Sequence, residues 1–514
     1  MTNAYDDRAA ALVLAVMDGD ATADCLDGLD AEGRAAVEGY RRLFHADFPR
    51  AVEVVGAAGG SPYAGAVRRQ VEALCTASIS GGLDVAGLDP TTPAGAMAIF
   101  HTSEAAHVVG AIPECSRMVS EALAAGVPHR RARTWLRMAR VRSLLFQGEV
   151  GRAEDQLLLV AQDAESPLAL QSVRCLQAMA AGLRGNKAEV VLIAEDLRSR
   201  IVAPSTYADA GLALLGAFGL ASCGFPAAAA ELLLYGAGGP GLPLLPMTLR
   251  AYGYDLLIEA ATAAGNLELA GWILAEFDRL DLAGIPQMLA AREASRARVQ
   301  IAQGELATGM VRAHAAAQQA VAASSELVGT RAALTLARAG AGVTGEASGA
   351  LVRRLVAEVG SEDLRAWMDR ALAESGRAPR PLPGLGWDQL SATQQVVARL
   401  AARGLRNQEI ADLLVVSPRT VEAHVGAILD VLGVSNRVGI VAAADARRSV
   451  DPAALATMTA RQRQVAMELV DGRTNAEIAA RLGIGQKAVE KHVSGLLRGL
   501  GVGSRAAVVA RILR

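Results

Sequence analysis

Two stretches of the chain place cations, hydroxyls and carboxylates at spacings that gather them on one side of a helix. In the first, Arg419, Glu422, Ala423, Gly426 and Asp430 fall together, with Ser417 and Thr420 at the helix entry and His424 beside the apolar stripe; in the second, Lys487, Glu490, Lys491, Ser494 and Arg498 do so, with His492 beside the stripe. The chemistry open to such a face is the gripping of phosphates and the reading of base edges. Arginine and lysine donate to phosphate oxygens or to guanine, and Glu422 and Glu490 are suited to accept from cytosine N4. An ordinary solvated helix face would carry the same residue types, so both readings stand at this point. His424 and His492 occupy matched positions, where a structural hydrogen bond and a phosphate contact fit equally well.

The elements that would position these residues recur. Residues 390–437 and 458–505 align without a gap at an offset of 68, with 19 of 48 pairs identical, among them Gly404/Gly472, Asn407/Asn475, Glu409/Glu477, Val421/Val489, His424/His492, Leu432/Leu500 and Arg437/Arg505. Such self-similarity marks an internal duplication. Ser417 followed by Pro418 predicts a capped helix running to about Leu432. Val421, Val425, Ile428 and Leu432 give it one apolar stripe. Asn407–Leu414 reads as a shorter helix whose Ile410 and Leu414 join the same core after a tight connection at Val415–Val416. Helix, short turn and helix with one face left solvated is the helix-turn-helix arrangement. The second copy has Gly485, Gln486 and Ala488 where the first has Ser417, Pro418 and Thr420; the glycine cap costs only a few tenths of a kcal/mol, and the lost hydroxyl removes one phosphate contact.

The runs Gly404–Ala411, Ser417–Val425 and Leu432–Arg437, with their counterparts in the second copy, closely resemble the LuxR-type (GerE-type) DNA-binding domain. The resemblance covers about a quarter of the chain. It implies four helices per copy, recognition helices at about Pro418–Leu432 and Gln486–Leu500, and fourth helices, Asn436–Arg447 and Ser504–Arg514, of the kind that dimerise in the family. The first copy departs from the pattern with Gln394 in place of the usual glutamate and with an uncharged Ala423–Gly426 patch on the groove-facing side.

Length and composition frame the remainder. A chain of 514 residues with 52% hydrophobic and 4% aromatic residues can hold two or more domains with a large core, and its alanine content favours helices. The net charge of −2 is unevenly spread. Residues 390–448 hold 7 basic and 5 acidic side chains, residues 458–514 hold 10 and 4, and residues 1–389 hold 34 and 43. Positive charge is thus concentrated where nucleic-acid contact is expected. The five scattered cysteines lack a CxxC pair, no signal peptide opens the chain and no apolar run reaches membrane length, which predicts a reduced, cytoplasmic protein with no membrane contact. The absence of GxxxxGK[S/T] separates the chain from the large ATP-binding LuxR regulators, which also place helical repeats ahead of the DNA-binding domain. No GxSxG signature suggests an enzyme.

Residues 1–374 carry a recurring turn followed five places on by a small residue: Gly110…Cys115, Gly148…Ala153, Gly185…Val190, Gly224…Ala229, Gly265…Ala270 and Gly304…Gly309, with Ala46…Ala51 as an earlier candidate. This periodicity predicts stacked helical hairpins resembling tetratricopeptide-type repeats; an irregular bundle is the alternative. The expected domains are a helical sensor or partner-binding region at 1–374, a linker at 375–389, a helix-turn-helix domain at 390–448, a linker at 449–457 and a second such domain at 458–514. The segment from Tyr235 to Pro246 breaks the pattern. Tyr207, Tyr235, Tyr252, Tyr254 and Trp272 cluster near it in sequence and would either line an effector pocket or belong to the core. His101, Glu104 and His107 have the wrong spacing for a helical metal site and read as ordinary side chains.

These observations predict an all-α, sequence-specific transcription regulator without cofactor or metal. Double-stranded DNA is its expected partner, a peptide, small molecule or protein its effector, and a homodimer or RNA polymerase contact is compatible with it. The alternative is an interaction scaffold whose helix-turn-helix copies bind protein, for instance RNA polymerase or another regulator.

Overall fold

Eight tight turns set the architecture of the first 377 residues. The computed structural model describes residues 4–18, 26–58, 60–201, 203–341, 361–374, 390, 394, 397–398, 401, 406–414, 417–432, 440, 458–470, 473–502 and 504–512. Both expected linkers therefore lie outside the described residues, as do Gly404, Val415, Val416, Arg437, Gly472 and most of Asn436–Arg447. Among the described residues there are 24 helices and no strand. The chain divides into two units, Met1–Arg377 and Ala378–Arg514.

The first unit begins with α1 (Ala4–Met17), α2 (Ala31–Phe44), α3 (Phe48–Val55) and α4 (Pro62–Thr76). It continues as hairpins: α5 and α6 (Pro93–Val108, Ile112–Ala125), α7 and α8 (Arg130–Phe146, Val150–Asp163), α9 and α10 (Pro167–Arg184, Lys187–Arg200). Three more follow: α11 and α12 (Tyr207–Ser222, Pro226–Gly236), α13 and α14 (Met247–Ala263, Leu267–Asp278), α15 and α16 (Pro286–Ala302, Leu306–Ala322). Helices α17 (Glu326–Ala341) and α18 (Glu362–Glu374) complete it.

At each turn one residue adopts a left-handed backbone: Gly110, Gly148, Gly185, Gly224, Gly265 and Gly304 at φ between 72° and 93°, with Ala46 and Ser324 at 60° and 55°. The next residue then donates its N–H back to the carbonyl five positions earlier, at 2.8–3.0 Å in all eight cases, as in Ala111 to Ala106 and Asn266 to Ala261. This satisfies the orphan carbonyls at the helix end and reverses the chain within two residues. The small residue five places after the turn lies where the two helices touch. Ala51, Cys115, Ala153, Val190, Ala229 and Ala270 are fully buried. At Gly309 and Gly329 an added Cβ would come within 2.9 Å of the Ala297 carbonyl and 3.2 Å of the Ala317 carbonyl.

The hairpins form two layers. Every residue of α5 from Ala94 to Val108 is buried, and α11 and α13 are nearly as enclosed. Their partners bury one stripe only; in α6 it is Ile112, Cys115, Met118, Val119 and Ala122. A helix apolar on all sides belongs inside, and a helix with one apolar stripe belongs at the surface. The stack is also bridged across long sequence distances. The Thr248 hydroxyl donates to the Leu74 carbonyl at 2.9 Å, Gln287 to that of Val108 at 3.1 Å, and the Trp367 indole to that of Ser222 at 2.7 Å. A buried ion network ties α13 to α15 and α17, with Arg331 within 2.8 Å of Asp255 and 2.7 Å of Glu259, and Arg298 within 2.9 Å of Asp255. The arginines beside it hold the Asp255 carboxyl well below the usual range.

In the second unit the described helices are α19 (Asn407–Leu414) and α20 (Pro418–Leu432) of the first copy, then α21 (Ala460–Val470), α22 (Asn475–Leu482), α23 (Gln486–Gly499) and α24 (Arg505–Ile512) of the second. Each copy has its own core. Leu390, Val397, Ile410, Val421, Ile428 and Ile440 form one; Val465, Leu469, Ile478, Val489, Leu496 and Val508 are central to the other.

Candidate nucleic-acid interface

Helix α20 starts where its sequence dictates. The Thr420 N–H donates to the Ser417 hydroxyl oxygen at 3.1 Å, and the two hydroxyls lie 2.8 Å apart. Thr420 thus takes part in the cap itself. Helix α23 starts from Gly485, in extended backbone and without a side-chain cap. It follows α22 through Gly483, which closes that helix at φ 64° and lets Ile484 donate back to the Ala479 carbonyl at 3.0 Å. Only a residue tolerant of the left-handed region allows so short a turn between the two helices.

The apolar side of each second helix is pinned in its core. Val421 and Ile428 are fully buried with Val425 packed beside them, and Val489 and Leu496 do the same in the second copy. Burial on that side leaves the opposite face to solvent. On α20 and its cap, Ser417, Arg419, Thr420, Glu422, Ala423, Gly426 and Asp430 are exposed and His424 is half-buried. On α23, Lys487, Glu490, Lys491, Ser494 and Arg498 are exposed and His492 is half-buried. Arg419, Glu422, Ala423, Gly426 and Asp430, and in the second copy Lys487, Glu490, Lys491, Ser494 and Arg498, thus share one exposed face, while Thr420 belongs to the cap and the two histidines flank the buried stripe. Arg419, Lys487 and Lys491 make no ion pair with a described residue, and Arg498 makes only a long 3.4 Å contact to the Ser494 carbonyl of its own helix. An Arg419-like cation left unpaired in this way is available to a phosphate.

The two faces differ in charge. That of α23 carries Lys487, Lys491 and Arg498 against Glu490, whereas that of α20 carries Arg419 against Glu422 and Asp430. Gly426 faces open space, so nothing in the fold requires glycine there.

Several identities between the copies turn out to hold the scaffold. Thr474 and Glu477 form a reciprocal cap on α22, with the Thr474 N–H donating to the glutamate at 2.7 Å and the Glu477 N–H donating to the threonine hydroxyl at 3.3 Å. In the first copy Glu409 accepts from the Arg406 N–H at 2.6 Å. Arg505 donates to the Asn475 side-chain oxygen at 2.5 Å and to the Arg473 carbonyl, fastening α24 to the start of α22. Gln462, which pairs with Gln394, accepts from the Thr459 N–H at 2.9 Å while Thr459 accepts in return. Glutamine serves here as well as glutamate would in a capping box. The identity of Glu409/Glu477, Asn407/Asn475, Gln394/Gln462 and Arg437/Arg505 was the signal available in sequence, and it marks structure as readily as contact with a ligand.

These two helix-turn-helix units coincide with the matches to known proteins. Residues 388–444 and 456–512 each match the family described as bacterial regulatory proteins of the luxR family. The spore germination protein GerE of Bacillus subtilis is 40% identical over 57 residues, which are 11% of this chain and 77% of that protein. The chain belongs to the LuxR family. A protein of Mycobacterium tuberculosis named as an HTH-type transcriptional regulator is 39% identical over 110 residues, 20% of this chain. The aligned part spans only 12% of that relative's length. A transcriptional regulatory protein of Hyphomicrobium methylovorum is 45% identical over 56 residues, 11% of this chain and 26% of its own. Among the described residues no helix is long and apolar enough to cross a membrane.

The five aromatics considered for an effector pocket do not form one. Tyr207 and Tyr252 line a common cavity on the inner layer of the first unit. Tyr254 instead donates to the Gly241 carbonyl at 3.3 Å and packs on Phe277, Tyr235 donates to the Ile201 carbonyl at 2.6 Å, and Trp272 is 45% exposed on the outer helix α14. Neighbours in sequence are separated because consecutive helices belong to opposite layers. The segment from Tyr235 to Pro246 is a packed turn whose Leu242 and Leu245 are fully buried, with Leu242 within 2.5 Å of the place a Cβ on Gly253 would take. His101 and His107 are core residues. The His101 Nδ1 meets Gln70 at 2.5 Å among the rings of Tyr40, Tyr63 and Phe100, and burial lowers both imidazoles to about 3.

Proposed function

We propose that the chain is a sequence-specific DNA-binding transcription regulator, with α20 and α23 as its recognition helices and the first unit as its effector-sensing half. The observation that carries this reading is the exposed face of α23, where Lys487, Lys491 and Arg498 make no ion pair with a described residue on a helix whose other side is locked in a core. Two readers in one polypeptide can span two half-sites about one helical turn apart without a second chain. Helix α24, and the counterpart that the family resemblance implies at 436–447, offer a route to a homodimer, which would bring four readers together.

The charge difference favours a division of labour. With Arg419 opposed by Glu422 and Asp430, the first copy gains less from phosphates than the second and should read the weaker half-site; a protein contact of that copy, RNA polymerase included, is the second reading. Selection from a random duplex library with the full chain, alongside Arg419→Ala and Lys491→Ala, tests this. A two-part motif, one half erased by each variant, is the expected result. A motif insensitive to Arg419→Ala would assign the first copy to protein, and no enriched motif at all would overturn the reading.

A further inference from the structure

The inner layer of the first unit holds a partly open cavity of about 170 Å³. Its walls come from α1, α2, α4, α5, α7, α9, α11, α13 and α15, and none of its lining residues belongs to the outer helices α6, α8, α10, α12, α14 or α16. The lining is largely apolar and rich in rings. Phe146, Phe218 and Tyr252 form a mutual edge-to-face triangle with centroids 5.5–6.4 Å apart, and Phe100 meets Trp135 at 6.0 Å. Gly211 also lines the cavity, and a Cβ added there would meet nothing within 4 Å.

Into this apolar space project a few polar groups with unused donors. Arg142 pairs with Glu104, and that is its only hydrogen bond among the described residues. Its remaining N–H groups have no protein acceptor. The hydroxyls of Tyr40 and Tyr207, close enough to this pair to feel its charges, have none either. The Arg142 side chain is 24% exposed, so these donors are within reach of water and equally of an acceptor that displaces it from the apolar walls. The Glu104–Arg142 pair is already neutral overall, so an anionic guest would bring an uncompensated charge into the cavity and a neutral one would not.

We infer that this cavity is a ligand site for a small neutral aromatic molecule bearing a carbonyl oxygen, the ring lodged among Phe146, Phe218 and Tyr252 and the carbonyl received by Arg142, Tyr40 and Tyr207. The volume agrees, since an apolar cavity of roughly 150 Å³ holds benzene. This deepens the reading of the first unit as the sensing half and rests on it.

Benzamide is the probe, titrated by calorimetry into the full chain beside benzoate, with DNA binding of the same preparation followed in parallel. The expected result is saturable one-to-one binding of benzamide and none of benzoate. Tyr207→Phe should weaken it about 5- to 10-fold by deleting one hydrogen bond. Gly211→Leu fills the space from a helical position with room for it, so the variant should fold and lose binding more than 10-fold. Binding unchanged by Gly211→Leu, tighter binding of benzoate, or no binding of benzamide to a chain that still binds DNA would each overturn the site while leaving the regulator reading intact. Benzamide binding by a chain that fails to select DNA would support the site and remove the regulator reading instead.

Discussion

Arg505 illustrates how a residue can be retained in two copies for reasons other than contact with DNA. Its guanidinium is half-buried between α22 and α24 and spends its donors on Asn475 and the Arg473 carbonyl. Asn475→Ala should leave that donor unmatched and cost the domain about 1–2 kcal/mol, seen as a lower thermal midpoint of the second copy. At temperatures where the variant remains folded, DNA affinity should be unchanged. A selective loss of affinity without loss of stability would place Asn475 at the interface. His107 allows a second test at this scale. Burial lowers its pKa from the ordinary 6.5 to about 3, so the folded state keeps the ring neutral while the unfolded chain protonates it. Below the unfolded value the unfolded state binds more protons, and stability present above pH 6.5 is lost as the pH falls toward 3. At pH 5 the loss is about 2 kcal/mol for this residue, with a similar contribution from His101. His107→Phe keeps the edge-on packing with Phe146 and removes the titration, so its melting temperature should fall less between pH 7.5 and pH 5 than that of the parent. An identical fall in both would show that the His107 ring is charged in the fold.

At the scale of elements, the turn series was legible because it depends on local chemistry. A left-handed residue and a small one five places later are set by backbone geometry at a helix end and by the closest approach of two helices, so both leave a mark at fixed spacing. Layer assignment was not legible. The sequences of α5 and α11 are apolar on most sides, and the rings of Tyr252 and Tyr254, only two residues apart, serve the cavity and the packing on Phe277 respectively; which surface a buried ring faces depends on partners far along the chain. The bridges between Thr248 and Leu74 or Gln287 and Val108 leave no local trace. The turns themselves can be graded. Gly265 has φ 72° and open space around a would-be Cβ, so Gly265→Ala should cost only the left-handed backbone penalty of about 1–2 kcal/mol. Gly148 has φ 78° and a would-be Cβ only 2.7 Å from that of Ser361, where α18 begins, so Gly148→Ala should cost clearly more and loosen α18. Chemical denaturation of the two variants, with Trp367 fluorescence reporting on α18, checks the order. Equal costs would mean that α18 does not bear on that turn.

For the whole molecule the electrostatic division is the controlling feature, and it was readable from charge counts alone. Residues 458–514 carry a net +6 and residues 390–448 a net +2, against −9 for residues 1–389. The acidic region does not compete for phosphates, so salt dependence of DNA binding should report the second unit. Each phosphate neutralised contributes about 0.9 to the slope of log affinity against log salt. If Lys487 and Lys491 both meet phosphates, the double variant Lys487→Ala/Lys491→Ala should reduce the slope by about 1.8, and Arg419→Ala by about 0.9 if the first copy also reads DNA. A base-specific role separates from a phosphate role in the same measurement. A cation that reads guanine loses affinity mainly on the selected site, whereas one that grips phosphate loses it on every sequence. Should the Lys487/Lys491 variant leave the slope unaltered on both specific and random duplexes, α23 would not be the reader, and the free cations on its face would be an ordinary solvated surface.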